Sequence, residues 1–180
     1  MKSNEIPALS LSDLCSGLPG ITPAFGECLA HAGAICLQDQ RHDKGVGLLV
    51  NGAIDSNFRL FWNDPDQQTL RCWNDDEVTT EHGAYGVAIL VVLNLTEYTV
   101  VKRSKKGTGF DFYLGRNDNE DLPFQNVVRL EISGIRRGAD ADVRARVRTK
   151  LRQTAVSDDQ GPAFIVVVEF GKPLSMVAKK

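Results

Sequence analysis

Two carboxylates interrupt apolar stretches in the second half of the chain. Asp111 lies in the run 110–114 (FDFYL), and Glu131 lies in the run 127–132 (VVRLEI). An acid inside a strand is costly to bury unless it gains a partner or a metal ion. If both strands belong to one sheet, the two acids can share a divalent cation. The sequence therefore predicts a metal centre at Asp111 and Glu131.

Side-chain alternation puts each acid on the polar face of its predicted strand. A first strand, 98–104, and a glycine turn precede the strand 109–115, and a polar loop, 116–126, leads into the strand 126–135. The polar face holds Asp111 and Tyr113 in the strand 109–115, and Arg129, Glu131 and Ser133 in the strand 126–135.

A third acid, Glu81, begins a predicted helix, 81–95, with Thr80 as its capping residue. Apolar residues run nearly all round this helix, which indicates that it is buried. Glu81 has two interpretations at this position. It can complement the positive end of the helix dipole, or it can reach the same site as the two strand acids.

A basic helix and an apolar strand complete the pattern. The helix 140–155 carries an apolar stripe surrounded by arginines, and the strand 163–170 is apolar enough to be covered on both faces, before a short basic tail. From residue 80 the order is helix, strand, strand, strand, helix, strand. This order predicts an α/β (α+β) fold, a mixed sheet flanked by helices.

The first 79 residues predict an elaboration packed on that core. We expect a loosely packed arm over 1–20, then a helix over 23–41 started by Thr22 and a proline. A hairpin follows from strands 45–50 and 58–62, and 63–79 is predicted to be a loop. The expected organisation is an N-terminal part, 1–79, and a core, 80–180, in one compact domain.

The order of elements and the placement of the acids resemble the restriction-endonuclease-like core of the PD-(D/E)xK nuclease superfamily, over about residues 80 to 170. The resemblance implies that Asp111 and Glu131 bind Mg²⁺ or Mn²⁺, that Ile132 lends its backbone carbonyl, and that Glu81 reaches the metal directly or through water. It implies a metal-dependent nuclease, in prokaryotic defence or DNA repair.

One position departs from that family. Its motif ends in a lysine two residues after the glutamate, and this chain has Ser133 there. Serine carries no positive charge and is a poor base. Either another lysine reaches the site, with Lys102, Lys105 and Lys106 as candidates, or the fold is kept without catalysis.

Nucleic acid, with DNA favoured, is the expected partner. The predicted contacts are the basic turn and the basic helix, that is Lys105, Lys106, Arg144, Arg146 and Arg148. The helix face can equally be a solvated surface. Two further hypotheses stay open: an inactive nuclease-like module that binds DNA, a partner protein or a second copy, and an unrelated α/β protein whose acids form structural pairs, Glu131 with Arg129 or Arg103.

The amino-acid composition and net charge of the chain restrict these hypotheses. The 180 residues carry a net charge of −2, which argues against a generally cationic nucleic-acid coat. The four cysteines lack C-x-x-C spacing, and we expect reduced core thiols. Residues 1–14 have no apolar h-region, so we expect no signal peptide, and the apolar run 87–93 is shorter than the ~20 residues of a membrane span. We expect a cytoplasmic bacterial protein outside the membrane.

Overall fold

The computed structural model describes residues 5–116 and 127–180 of the chain. They form a mixed α/β fold in which helices flank one sheet of eight strands. The helices are α1 (Pro23–Asp39), α2 (Gln67–Cys72), α3 (Asp76–Leu95) and α4 (Asp140–Gln153). The strands are β1 (Ala8–Ser10), β2 (Val46–Gly52), β3 (Ser56–Phe61), β4 (Tyr98–Arg103), β5 (Phe112–Arg116), β6 (Val128–Ile135), β7 (Ala163–Glu169) and β8 (Leu174–Lys179).

The sheet has the order β1-β3-β2-β8-β7-β6-β5-β4. The strands β4, β5 and β6 are antiparallel neighbours, whereas β6 and β7 are parallel and are joined through α4. A parallel pair needs such a long crossover because the chain must return to the same end of the sheet. The predicted loop 116–126 lies outside the described residues, except for Arg116 at the end of β5.

Helices cover the two faces of the sheet differently. The main core lies between the sheet and the helices α1 and α3, and it contains Leu130, Ile132 and Val166. A smaller cluster joins Val143 and Val147 of α4 to the opposite face of β7. The apolar stripe predicted for the basic helix is therefore confirmed, and β7 is buried along its whole length as expected.

The sequence predicted a loosely packed N-terminal arm, and this prediction is wrong. Strand β1 pairs with β3, and a 3₁₀ helix (Leu11–Ser16) follows. Leu11 and Leu14 are each 1% exposed in the main core. Gly26 of α1 lies so close to this segment that an added Cβ would meet the Leu14 carbonyl oxygen at 1.9 Å. These contacts make Leu9, Leu11 and Leu14 part of the core.

The region predicted as a loop before α3 is partly helical. It contains α2, and α3 begins at Asp76 rather than at Glu81. Asp75 is the capping residue, because its Oδ1 accepts the backbone N–H groups of Glu77 and Val78. Thr80 is therefore not the cap, and Glu81 lies in the second turn, beyond the helix end where a capping role would place it.

The short basic tail, for which the sequence predicted no element, contains the strand β8. β8 pairs antiparallel with β7 and parallel with β2. Through these pairs the N-terminal hairpin β2–β3 continues the same sheet as the strands that carry the two acids. The sequence did not predict this strand among the polar residues of 171–180. Only alternate residues of β8 face the interior.

Burial also decides the character of α3 and of the cysteines. α3 is long and apolar enough to cross a membrane, but 67% of its apolar window is buried within the fold, as in the core helix of a soluble protein. All four cysteines are free, yet Cys36 alone is buried, and Cys15, Cys28 and Cys72 are exposed. The prediction of core thiols is thus right for Cys36 and wrong for the others.

Replacing Leu14 by alanine tests whether the N-terminal arm belongs to the core. We expect Leu14→Ala to lower the free energy of unfolding by about 2–5 kcal/mol, because it empties a fully buried site. The matched control is Leu49→Ala, since Leu49 is 43% exposed. Urea unfolding followed by circular dichroism measures both. Equal stabilities for the two variants would contradict the core position of Leu14.

Candidate functional site: a buried acid pair beside a lysine

The site lies where β5 begins to pair with β6. The backbone N–H of Asp111 donates to the Leu130 carbonyl at 2.9 Å, as a strand residue would. The Asp111 side chain, and not its backbone, makes the next bond to β6, because its Oδ2 accepts the backbone N–H of Ile132 at 2.8 Å. The carboxylate therefore satisfies a strand N–H group beyond the start of β5, and that bond fixes its direction.

Helix α3 supplies a second acid and a phenol. Glu81 and Tyr85 are four residues apart and share one face of the helix. The Tyr85 hydroxyl lies 2.6 Å from Glu81 Oε1 and 2.9 Å from Asp111 Oδ1. A phenol carries one proton, so Tyr85 donates to only one of these two oxygens at a time, and its two contacts tie α3 to the beginning of β5.

Glu131 of β6 faces helix α4. Its Oε1 accepts from Lys150 Nζ at 2.6 Å and from Gln153 Nε2 at 3.3 Å. The Glu131 side chain is 2% exposed and that of Lys150 is 20% exposed, so the lysine covers the acid. Two residues on, the Ser133 hydroxyl accepts from Arg146 Nη1 at 2.8 Å. The helix α4 therefore brings cations to the polar face of β6.

The two strand acids hold each other in an unusual protonation state. Both side chains line the same cleft, and the charge of Asp111 acts on Glu131. Burial, followed by the charge of Asp111, raises the pKa of Glu131 to about 8, against the opposing effect of Lys150. Burial also raises the pKa of Asp111 and that of Tyr85. The pair therefore retains a proton well above the usual range for carboxylic acids.

These side chains line one cleft of about 610 Å³. Five acids and three bases surround it, with Tyr85, Ser133 and Gln153 among the neutral groups. The charged residues are Asp76, Glu77, Glu81, Asp111, Glu131, Arg136, Arg146 and Lys150. Asp76 pairs with Arg136 at 3.2 Å on the rim. The floor of the cleft combines a proton-sharing acid pair with a lysine.

Of the residues that the sequence suggested for metal binding and catalysis, the structure brings together Asp111, Glu131, Glu81 and Ser133. Lys102 lines a different groove, beside the segment 16–23, and therefore does not supply the amine of this cleft. Lys105 and Lys106 are exposed on the turn before β5 and lie outside the cleft lining.

Of the basic helix, Arg146 reaches the cleft, while Arg144 and Arg148 are exposed on α4. Sequence reasoning missed Lys150 and Tyr85. The spacing of four residues from Glu81 to Tyr85 was visible, but the register of α4 against β6 was not.

Glu131 does not pair with Arg129 or Arg103, the partners considered from sequence. The Arg129 guanidinium is 1% exposed and is held elsewhere, by the Gly161 and Thr154 carbonyls, the Ser157 hydroxyl and Asp158. It fastens the 3₁₀ helix (Thr154–Gln160) to β6. Arg129 and Glu131 therefore share a face but serve different neighbours.

The described part of the chain contains no metal site of three close protein ligands. Across residues 5–116 and 127–180, no three His, Cys, Asp or Glu side chains lie together in a way that could hold a metal ion. The Tyr85 hydroxyl lies between Glu81 and Asp111. The available carboxylate pair is Asp111 with Glu131, and Glu81 contacts that pair through the phenol.

Fold and site together define the class of molecule: a mixed α/β protein with a buried acid pair and a lysine in one cleft. Comparison of the chain with protein-family models, with curated proteins and with solved structures finds no match. What the cleft does is therefore inferred from its geometry and chemistry.

The raised pKa of Glu131 predicts how stability depends on pH. The unfolded glutamate loses its proton near pH 4.5, but the folded one keeps it until about pH 8. The stability that this group contributes is full below pH 4.5 and is lost as pH rises through 8. We expect the free energy of unfolding to fall by on the order of a few kcal/mol across that window.

Glu131→Gln removes the titrating group and should flatten this decline, whereas Glu97→Gln, at an exposed position, should preserve it. Urea unfolding at a series of pH values measures both. A decline of the same size in Glu131→Gln and in the parent chain would show that Glu131 is not the group responsible.

Proposed function

We propose that this protein is a metal-dependent phosphodiesterase that cuts nucleic acid, with a restriction-endonuclease-like core of PD-(D/E)xK type. One observation carries the proposal: Asp111 and Glu131 converge in a single cleft that also contains a lysine amine. Acids paired only for stability have no need of a shared, open cleft. A buried like-charged pair with raised pKa values is typical of functional sites.

The arrangement of elements supports the same proposal. In chain order, α3, β4, β5, β6, α4 and β7 are a helix, three strands, a helix and a strand. The two acids lie near each other because β5 and β6 are neighbours, and the crossover through α4 places a basic helix over them. We propose that the N-terminal strands and α1 are an addition to a nuclease-like core.

The donor set fits Mg²⁺ or Mn²⁺ held by two protein carboxylates. Mg²⁺ is commonly bound through one or two carboxylates and keeps several of its waters. Asp111 and Glu131 would hold the ion, and Glu81 would contact its water shell. A bound cation supplies charge neutralisation at the phosphate and acidifies water for attack. It would also replace the proton that the buried pair now shares.

We propose that Lys150 supplies the positive charge that Ser133 lacks. Its amine is 2.6 Å from Glu131 Oε1, so it lies beside the proposed metal ligands although it comes from α4 rather than from β6. A cation there can hold and orient a water molecule or the phosphate beside the acids. Ser133 instead binds Arg146, which adds a second positive charge to the same wall.

A second function rests on a different observation. Both acids already have protein partners, since Ile132 donates to Asp111 and Lys150 donates to Glu131. A cleft whose charges are satisfied in this way suits a nuclease-like module that binds nucleic acid or a partner protein without cutting. In either case we propose a location in the cytoplasm, where the exposed thiols of Cys15, Cys28 and Cys72 stay reduced.

Cleavage with added Mg²⁺ or Mn²⁺ tests the enzymatic proposal. We expect cutting of labelled DNA that stops in EDTA and falls to background in Asp111→Asn and Glu131→Gln. Lys150→Met should slow it by roughly 10²-fold or more. The matched control is Lys102→Met, because Lys102 lines a different groove. A rate unchanged in both acid variants would remove this active site, and DNA binding without cutting would favour the module.

Salt dependence tests the basic helix as the contact surface. Arg148 is exposed on α4, and Arg148→Ala should weaken DNA binding and lower the slope of log K against log salt by about 1. Arg59→Ala is the matched control, since Arg59 is exposed on β3, far along the sheet. Fluorescence anisotropy at several salt concentrations measures both slopes. Identical slopes in the two variants would exclude α4 from the contact.

A further inference from the structure

A continuous row of aromatic rings runs from the acid cleft across the helical side of the molecule. His82 follows Glu81 on α3, and its ring centroid lies 5.7 Å from that of Tyr85. Trp73 lies 5.3 Å from His82, and Phe25 of α1 lies 6.2 Å from it. Tyr85 itself reaches Asp111 by a hydrogen bond. The row therefore begins at the acids.

The outer rings of the row are partly open to solvent. Phe25, Trp73 and His82 are each half-buried, whereas Tyr85 is 3% exposed. The chain has two tryptophans, and Trp62, the other one, is 3% exposed inside the core. Helix α2, which leads to Trp73, has no buried residue of its own. The half-buried ring of Trp73 contacts His82, and His82 in turn contacts Tyr85, which lines the cleft.

Positive charge accompanies the rings. The Arg103 guanidinium lies 5.3 Å from the centre of the Phe25 ring, a cation–π arrangement. Arg103 ends β4, next to the turn that carries Lys105 and Lys106. Of the acids at the start of α3, Asp75 caps the helix and Asp76 pairs with Arg136, whereas Glu77 is exposed in the first turn. The row therefore combines stacking faces with cations suited to phosphate.

We propose that this row, Phe25, Trp73 and His82 with Arg103, is a stacking platform for single-stranded nucleic acid that leads the strand into the acid cleft. The inference rests on the proposed function and names its substrate class. Aromatic rings stack on the faces of bases, and a duplex keeps those faces covered. The opposite wall, with Arg146 on α4, then faces the backbone.

The binding test uses the full chain in EDTA, so that no cutting occurs. The probes are a fluorescent oligothymidine, an abasic strand of equal length and a duplex. We expect Trp73→Ala to weaken oligothymidine binding at least about fivefold and to leave the abasic strand and the duplex unchanged. Phe61→Ala is the matched control, because Phe61 is an exposed ring on β3. Thermal melts verify that each variant is folded.

Two further variants distinguish a loss of base stacking from a purely structural effect of the substitution. Trp73→Phe keeps a stacking ring, so it should retain most of the affinity but lose the quenching of tryptophan fluorescence that oligothymidine causes in the parent chain. Arg103→Met should weaken binding as well. Equal loss for strand and duplex in Trp73→Ala, no loss at all, or equal affinity for the abasic strand would each overturn the platform.

The outcomes separate this inference from the proposed function. A chain that cuts duplex DNA with Mg²⁺, and whose strand binding ignores Trp73, keeps the nuclease and loses the platform. A chain that stacks oligothymidine on Trp73 but cuts nothing with either metal keeps the platform and loses the nuclease.

Discussion

The hydrogen bond from the Ile132 backbone N–H to the Asp111 carboxylate is the contact on which the site depends. It forms beyond the start of β5, where a strand N–H would otherwise lack an acceptor, and an unsatisfied buried N–H is costly. The bond holds one acid in the sheet plane beside the other. Glu131 precedes Ile132 on β6 and lines the same cleft as Asp111, so the charge of Asp111 contributes to the raised pKa of Glu131.

Helices α3 and α4 each contact one of the two acids. From α3, Tyr85 bridges Asp111 to Glu81, and the close packing of α1 against α3 at Gly83 keeps the phenol in place. From α4, Lys150 covers Glu131. A buried ion pair contributes little net stability once desolvation is counted. Apolar residues at these positions would stabilise the sheet at least as well as the charged ones do. The charged residues therefore favour a chemical role for the cleft.

The N-terminal half completes the same sheet rather than standing apart from it. The strand β8 links the hairpin β2–β3 to β7, and helix α1, which carries Phe25, packs along α3. Phe25 reaches His82 because α1 packs along α3, whereas Trp73 contacts His82 from the short connection between α2 and α3. The pairs Phe25–His82 and Tyr85–Asp111 are thus brought together although the members of each pair are more than 25 positions apart in the chain.

Sequence patterns alone determined much of the framework. The period of β5 and β6 located both acids on polar faces, and Thr22 with its proline located the start of α1. Local patterns failed where the partner is distant in the chain: β1 and β8 form only because β3 and β7 offer them edges. Likewise, Lys150 reaches Glu131 through the register of α4 on the sheet. That register depends on the packing of Val143 and Val147 against Val167, a tertiary contact that the spacing of charges does not encode.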